Sequence, residues 1–322
     1  SGFAAPRAGV FSASRAGHDG GKSEEGAVLL CEEAHYDCAV LDAFDDLRPY
    51  NLLVLPDTTA VDAALARRLR EFHRRGGKLL LSYRSGFDPA GKWNLGFLPL
   101  AFHGETDKFP TFWRARASFL PGMARSDRVF YGAGMRVSGG RGAEAVIDRV
   151  LPYFRRTASH FCSHFHTPPV AEPDEFPALL RGRGFYYFAD PVFREYRQTG
   201  NFAVREAWRA AMLDLVGPPP FGAGLPPGVQ VYPRRKGRDL LLTLLHYVPV
   251  RKALDIDVID DRGTFAGEVL RLPQHACAVE VFPSGERLQD LGGGAFALPA
   301  TKGRLLLRVP RFFGAQKRAA RR

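Results

Sequence analysis

Residues 51–86, NLLVLPDTTAVDAALARRLREFHRRGGKLLLSYRSG, decide the fold. Leu52–Leu55 is an apolar run stopped by Pro56, the pattern of a strand buried on both faces. Thr59, with Asp62 three residues on, is predicted to cap a helix whose apolar stripe is Val61, Leu65, Leu69 and Phe72. Arg67, Arg68, Arg74 and Arg75 fall on its water face. Gly76-Gly77 stops the helix, and Lys78–Leu81 reads as a second buried strand. A strand–helix–strand unit of this length is a right-handed crossover, and open α/β sheets bind ligands at the carboxyl ends of their strands. The candidate ligand crevice is therefore Asp57 and the turn Ser82–Gly86, with Arg84 and Ser85 as its polar residues and Asp42 at the end of the preceding strand.

The pattern extends on both sides. Ala8–Ala13 reads as a first strand, Ser23 as the cap of a helix Glu24–His35 with Glu24 and Glu25 at its positive end, and Cys38–Leu41 as a second strand. This order predicts a flavodoxin-like, three-layer αβα domain over residues 1–216. From about 87 to 169 the pattern shifts to prolines and aromatics, with β-like runs at Phe109–Phe119 and Val129–Val137 and a helix predicted over Ala143–Leu151, read as an inserted β-rich elaboration. The α/β pattern returns with a strand, Gly184–Ala189, and a helix, Val204–Val216. Gly217–Gly228 is a proline- and glycine-rich linker. Short β-patterned runs then predict an all-β sandwich over residues 229–312, followed by a basic tail at 313–322.

Composition narrows the partners. The net charge is +11, yet only eight of the 45 basic residues are lysine and the arginines are spread along the chain, which argues against nucleic acid as the main partner. No apolar run approaches the roughly 18–20 residues that cross a bilayer, so no membrane is expected. Cys31, Cys38, Cys162 and Cys277 are scattered without a CxxC pair, as free thiols in a reducing, cytoplasmic setting would be. The missing initial Met suggests a chain cut from something longer, with Ser1-Gly2 as a tag remnant.

His160, Cys162, His164 and His166 are spaced by two and would share one face of an extended segment. A polar pocket or a zinc-type cluster is one reading. The preferred one is structural, with the imidazoles against loops and Phe161 and Phe165 buried opposite, because one strand rarely completes a tetrahedral shell. No metal and no cofactor is predicted. Asp255, Asp257, Asp260 and Asp261 lack the D-x-D-x-D-G frame of a calcium loop and read as a solvated strand face. The aromatics around Asp190-Pro191 (Tyr186, Tyr187, Phe188, Phe193, Tyr196) read as core rather than as a sugar platform. Phe97, Phe102, Phe109, Phe112, Trp113 and Phe119, in a proline-punctuated stretch, are expected to form an exposed patch that drives self-association.

The run EEAHYDCAVLDAFDDLRPYNLLVLPD (32–57), followed by LREFHRRGGKLLLSYRSGF (69–87), resembles the trimerisation domain of family 42-type β-galactosidases and the matching region of a group of hypothetical glycoside hydrolases. HFCSHFHTPP (160–169), GRGFYYFADPVFREYRQTG (182–200) and the LLLTLLHYVP motif resemble the latter group. The resemblance implies a class I glutamine amidotransferase (GATase)-like domain that has lost its active site, and a homo-oligomer. It also implies a parent enzyme acting on carbohydrate whose catalytic (β/α)₈ barrel lies in a missing N-terminal segment, since such a barrel takes about 250 residues. An amidotransferase needs a cysteine on its strand-to-helix turn. The turn here, Ser82-Tyr83-Arg84-Ser85-Gly86, has none, and Ser85 lacks the G-x-S-x-G frame. The expected role is a non-catalytic accessory and oligomerisation region of a glycoside hydrolase. The alternatives are a stand-alone α/β hydrolase or transferase using the Asp57/Ser85 crevice, or a carbohydrate-binding module.

Overall fold

The computed structural model describes residues 7–12, 21–124, 126–164, 166–253, 256–259 and 264–314. The described residues of 8–30 and 38–217 form one compact unit; Arg7, 31–37 and the described residues from 218 onward form the other. Ala13, Phe165, Asp255, Asp260, Asp261 and the tail from 315, all of which figured in the sequence expectations, lie outside the described residues.

The larger unit is built from β1 (Arg7–Phe11), α1 (Lys22–Glu33) and β2 (Asp37–Leu41), except Arg7, 31–33 and Asp37, which belong to the other unit, and from β3 (Leu52–Leu55), α2 (Ala63–Arg74) and β4 (Lys78–Ser82). It continues with β5 (Leu100–Glu105), β6 (Thr111–Ala115), β7 (Arg128–Phe130), β8 (Met135–Gly139), β9 (Ala143–Val150), β10 (Leu179–Gly182), β11 (Phe185–Phe188), α3 (Val192–Thr199) and α4 (Phe202–Val216). Nine strands make one mixed sheet in the order β2-β1-β3-β4-β11-β10-β9-β6-β7. The pairs β1/β3, β3/β4 and β4/β11 are parallel. From β11 outward the pairs β11/β10, β10/β9, β9/β6 and β6/β7 are antiparallel.

The parallel strands form because Leu52–Leu55 and Leu79–Leu81 bury every side chain, leaving nothing that water could solvate on either face. Leu65, Leu69 and Phe72 of α2 pack on Leu53, Leu55, Leu79, Leu81 and Tyr187 in one apolar cluster. On the other face Tyr186 donates its hydroxyl to Asp214 of α4 at 2.8 Å.

Several expectations are corrected. Ala143–Val150 is a strand, not a helix: β10 and β6 pair with it on its two sides, and this tertiary pairing overrides the helical preference of Ala143, Glu144 and Ala145. The 87–169 stretch accordingly extends the main sheet with β6, β7 and β9, while β5 and β8 pair separately. The α2 cap is Asp62, which accepts from Leu65 N at 2.7 Å, whereas the Thr59 hydroxyl donates to the Pro56 carbonyl. Ser23 lies inside the first turn of α1, with a buried hydroxyl. The aromatic patch is mostly interior: Phe112 and Trp113 are buried and Phe97 and Phe102 pack against the core, which leaves Phe109 as its exposed large hydrophobic. The aromatic argument for self-association falls with it.

The second unit carries β12 (Val229–Lys236), β13 (Asp239–His246), β14 (Pro249–Ala253), β15 (Ile256–Ile259), β16 (Thr264–Phe265) and β17 (Val269–Arg271). After these come β18 (Glu280–Val281), β19 (Asp290–Gly292), β20 (Ala295–Ala297), β21 (Thr301–Lys302) and β22 (Arg304–Val309). A four-stranded sheet, β12-β13-β22-β18, and a three-stranded sheet, β17-β20-β19, share one apolar cluster. Leu240, Leu242 and Leu244 of β13 and Leu305, Leu307 and Val309 of β22 meet Leu270 and Phe296 there. The period-2 alternation leaves Leu241, Thr243 and Leu306 on the opposite face. Among the described residues no helix is long and apolar enough to cross a membrane.

Candidate functional site

The carboxyl ends of the parallel strands are where an open α/β sheet places its chemistry. Asp57, two residues past β3, is 1% exposed. Its Oδ1 accepts from the Ser82 hydroxyl at 2.7 Å and from Phe193 N at 3.3 Å; its Oδ2 accepts from Arg194 N at 2.8 Å and from the Ser23 hydroxyl at 2.9 Å. Two of the donors are first-turn amides of α3, where the positive end of a helix suits an acidic group. Burial pushes the Asp57 carboxyl above its usual range, against the pull of these four hydrogen bonds. Four donors use the acceptor positions of a carboxylate, so Asp57 ties elements together and offers no oxygen to a substrate.

The turn after β4 is tight. Tyr83 has φ 47°, a left-handed conformation that costs a bulky side chain energy. It is held there because Tyr83 N donates to the Phe188 carbonyl at 2.8 Å and its own carbonyl accepts from the Tyr187 hydroxyl. This strained residue directly after a buried strand is the position a nucleophile takes in an elbow turn. Here it is a phenol. The Tyr83 hydroxyl donates to Glu105 at 2.9 Å, and burial, then Glu105, push its pKa up to about 12. It stays protonated at neutral pH and is no base. Ser85 is fully buried and its Oγ accepts from Ser82 N at 3.0 Å. Arg84 is exposed, 3.8 Å from Glu105. Asp42 is also exposed and accepts from Phe44 N in its own turn. The structure thus brings Asp57 and Ser85 together through Ser82, and leaves Arg84 and Asp42 outside that knot.

A second buried polar group sits where the parallel half meets the antiparallel half. Arg149 of β9 and Asp190, just past β11, are both fully buried and 2.6 Å apart. Trp113 Nε1 donates to the second Asp190 oxygen at 2.7 Å, and Arg149 also donates to the Met135 carbonyl at 2.8 Å. Gly134 permits this approach, since a Cβ there would lie 1.8 Å from Asp190 Oδ1. Nearby, Glu195 of α3 accepts from Tyr131 N at 3.3 Å, and its burial pushes the carboxyl from the usual 4.5 to about 7. Asp190-Pro191 closing GFYYFA was the signal in the sequence for this network; Arg149, directly after Asp148, carried none.

The described residues of 160–166 lie in bends and irregular backbone, not in a strand, so the alternation that would put the four side chains on one face is absent among them. His160 stacks on Phe154 with 4.0 Å between ring centroids, His166 tilts onto Tyr131, and the Cys162 thiol donates to the His164 carbonyl at 3.4 Å. His164 is exposed, and so is Phe161, which was expected to be buried. Among the described residues no three His, Cys, Asp or Glu side chains gather to hold a metal.

With the elbow filled by a tyrosine and its neighbouring carboxylate saturated, relatives become informative. Residues 31–97 match the family model described as the beta-galactosidase trimerisation domain. The resemblance seen in the sequence is borne out by that match. The fold recurs in alpha-L-fucosidase isoenzyme 2 from Paenibacillus thiaminolyticus, with a TM-score of 0.83, 23% identity, and coverage of 94% of this chain and 48% of that one. The beta-galactosidase from Bacillus circulans sp. alkalophilus aligns with a TM-score of 0.61 and 14% identity over 95% of this chain and 41% of its own. That of Rahnella sp. R3 aligns with a TM-score of 0.60 and 17% identity over 94% and 40%. The chain thus spans less than half the length of each of these enzymes. No curated protein matches it in sequence.

Proposed function

We propose that this chain is the non-catalytic accessory and oligomerisation region of a glycoside hydrolase. In this reading the larger unit is a GATase-like three-layer αβα domain and the second a β-sandwich, with the catalytic barrel in another segment of the parent protein. The observation that carries the proposal is the trimerisation-domain match over residues 31–97. The turn at Tyr83 supports the non-catalytic half of it, because the elbow keeps its strained backbone but presents a hydrogen-bonded phenol. The scattered cysteines, Cys31 buried, Cys38 and Cys162 partly buried and Cys277 exposed, suit a reducing cytoplasmic setting.

Light scattering coupled to size exclusion tests the oligomer. The expected result is a mass that stays at one multiple of 35.6 kDa across dilution, a trimer above all. A mass of 35.6 kDa at every concentration overturns it. In the same preparation neither glutamine nor aryl glycosides are turned over; hydrolysis abolished by Ser85→Ala would favour the hydrolase alternative instead.

A further inference from the structure

The second unit has an open feature that the oligomer reading does not use. Antiparallel partners point to the same face of a sheet, so the pairing places Tyr232 of β12, Thr243 of β13 and Leu306 of β22 in one row on the face away from the core. Phe282, one residue past β18, donates its amide to the Leu306 carbonyl at 2.9 Å and ends that row. Three strand steps separate the two aromatics, about 14 Å at the usual strand spacing. Tyr232 is 40% exposed and Phe282 45%. A trough of about 520 Å³ lies along this row, lined by Tyr232, Leu241, Thr243, Leu306 and Phe282, with Asp37 and Arg234 among its polar walls.

The flanking rows are polar except for one leucine each. On one side the pairing gives Arg234, Leu241, Arg308 and Glu280; on the other Gln230, Leu245 and Arg304. The Tyr232 ring is anchored: its hydroxyl meets Gln230 Oε1 at 2.9 Å and Glu32 Oε1 at 3.3 Å. Burial pushes the Glu32 carboxyl up.

We propose that this trough binds a short neutral oligosaccharide, with pyranose rings lying on Tyr232 and Phe282 and spanning the Thr243–Leu306 floor. A pyranose has an apolar C–H face and a rim of hydroxyls. It matches an apolar stripe one row wide between polar rows, and aromatic rings supply flat apolar area at little entropic cost. A second protein chain fits less well, since a stable interface needs about 800 Å² per partner with an apolar centre, and here charged rows lie two residues either side of the stripe. An acidic or basic ligand is disfavoured because the walls carry both signs.

The test uses isothermal titration of the whole chain with β-linked galactotetraose, cellotetraose and xylotetraose, with galactose as the monomer control. At least one tetrasaccharide should bind saturably and galactose much more weakly. Tyr232→Ala and Phe282→Ala should each weaken binding about five- to tenfold, and Tyr232→Phe only about two- to threefold, because the ring remains. Both positions are exposed, and unchanged thermal melts verify that the variants fold. Saturation-transfer NMR on the unmutated chain should show the strongest transfer to ring C–H protons. The proposal is overturned if no tetrasaccharide binds up to about 10 mM, or if binding is indifferent to both alanine variants. It is equally overturned if those variants alter the mass of the assembly and leave sugar binding intact. The oligomer reading is judged by mass in the unmutated chain, so the two fail separately.

Discussion

The parallel and antiparallel halves of the nine-stranded sheet solve the same problem in different ways. In the parallel half β3 and β4 bury all their apolar side chains, and the polar groups at their ends are gathered by one carboxylate, Asp57, from two serines and two amides of α3. In the antiparallel half β9 carries a charge into the interior and must answer it, which Asp190 does from the end of β11. One half is closed by neutral donors around an acid, the other by an ion pair with a tryptophan on it. Both closures lie at strand ends where other α/β proteins keep a crevice, and the Tyr83 hydroxyl turns instead to Glu105, an exposed carboxylate that Arg84 also approaches.

The largest effect should come from breaking the ion pair. Asp190→Ala leaves the Arg149 guanidinium buried without its partner, and we expect a loss of about 3–5 kcal/mol in denaturant unfolding. The double variant Arg149→Met/Asp190→Leu removes both charges and should lose distinctly less. If the double variant costs as much as the single one, the interior charge is not what Asp190 serves. Next in size is Asp57→Ala, which strips a partner from two buried hydroxyls and two amides. The serines can reorient, so about 2–3 kcal/mol is expected. Hydrogen exchange should then accelerate at Phe193 and Arg194; unchanged exchange there would mean that Asp57 does not hold α3.

Glu195 sharpens the contrast through pH. Its carboxyl is raised to about 7 by burial, so between roughly pH 4.5 and 7 the folded chain keeps a proton that the unfolded chain has released. Stability therefore falls as pH rises through that window and is lost in full above it, by an amount on the order of 1–3 kcal/mol. Glu195→Gln still offers an oxygen to Tyr131 N and should flatten this slope, leaving the variant more stable than the parent at pH 8 and little changed at pH 4. Melts at several pH values read it directly, and parallel profiles for the two proteins would contradict it.

The same contrast explains what the sequence revealed. Continuous apolar runs such as Leu52–Leu55 and the stripe Leu65, Leu69 and Phe72 state their environment locally, and β3, α2 and β4 form as read. AEAVIDRV does not: as a helix it would be acceptable, and only pairing with β10 and β6, through residues distant in sequence on both sides, makes it a strand. The trimerisation-domain resemblance was legible because it lies in the local half, at residues 31–97. Asp57, Ser82 and Ser85 were visible as turn residues, but their saturation depends on Ser23 and on α3, distant in sequence. The 160–166 spacing misled for the opposite reason, since period-2 histidines share a face only if the backbone is extended, and here it bends.

The smallest effect belongs to Ser85→Ala. Ser85 Oγ accepts one hydrogen bond, from Ser82 N, in a turn already fixed by Tyr83 N to the Phe188 carbonyl and by the Tyr187 hydroxyl. Removing the hydroxyl orphans a single buried amide, so the expected loss is about 1 kcal/mol, a shift of a few degrees in a protein of this size. Ser85→Gly would lose the same bond and add backbone freedom, and so should cost slightly more. A residue that positions or attacks a substrate would behave otherwise, with function falling far more than stability. Small losses in stability from both variants, with solution mass and any sugar binding unchanged, are what a turn serine predicts. A Ser85→Ala protein of unchanged stability but altered assembly would instead put this turn at the subunit contact, and the closed end of the parallel half would then be read as an interface.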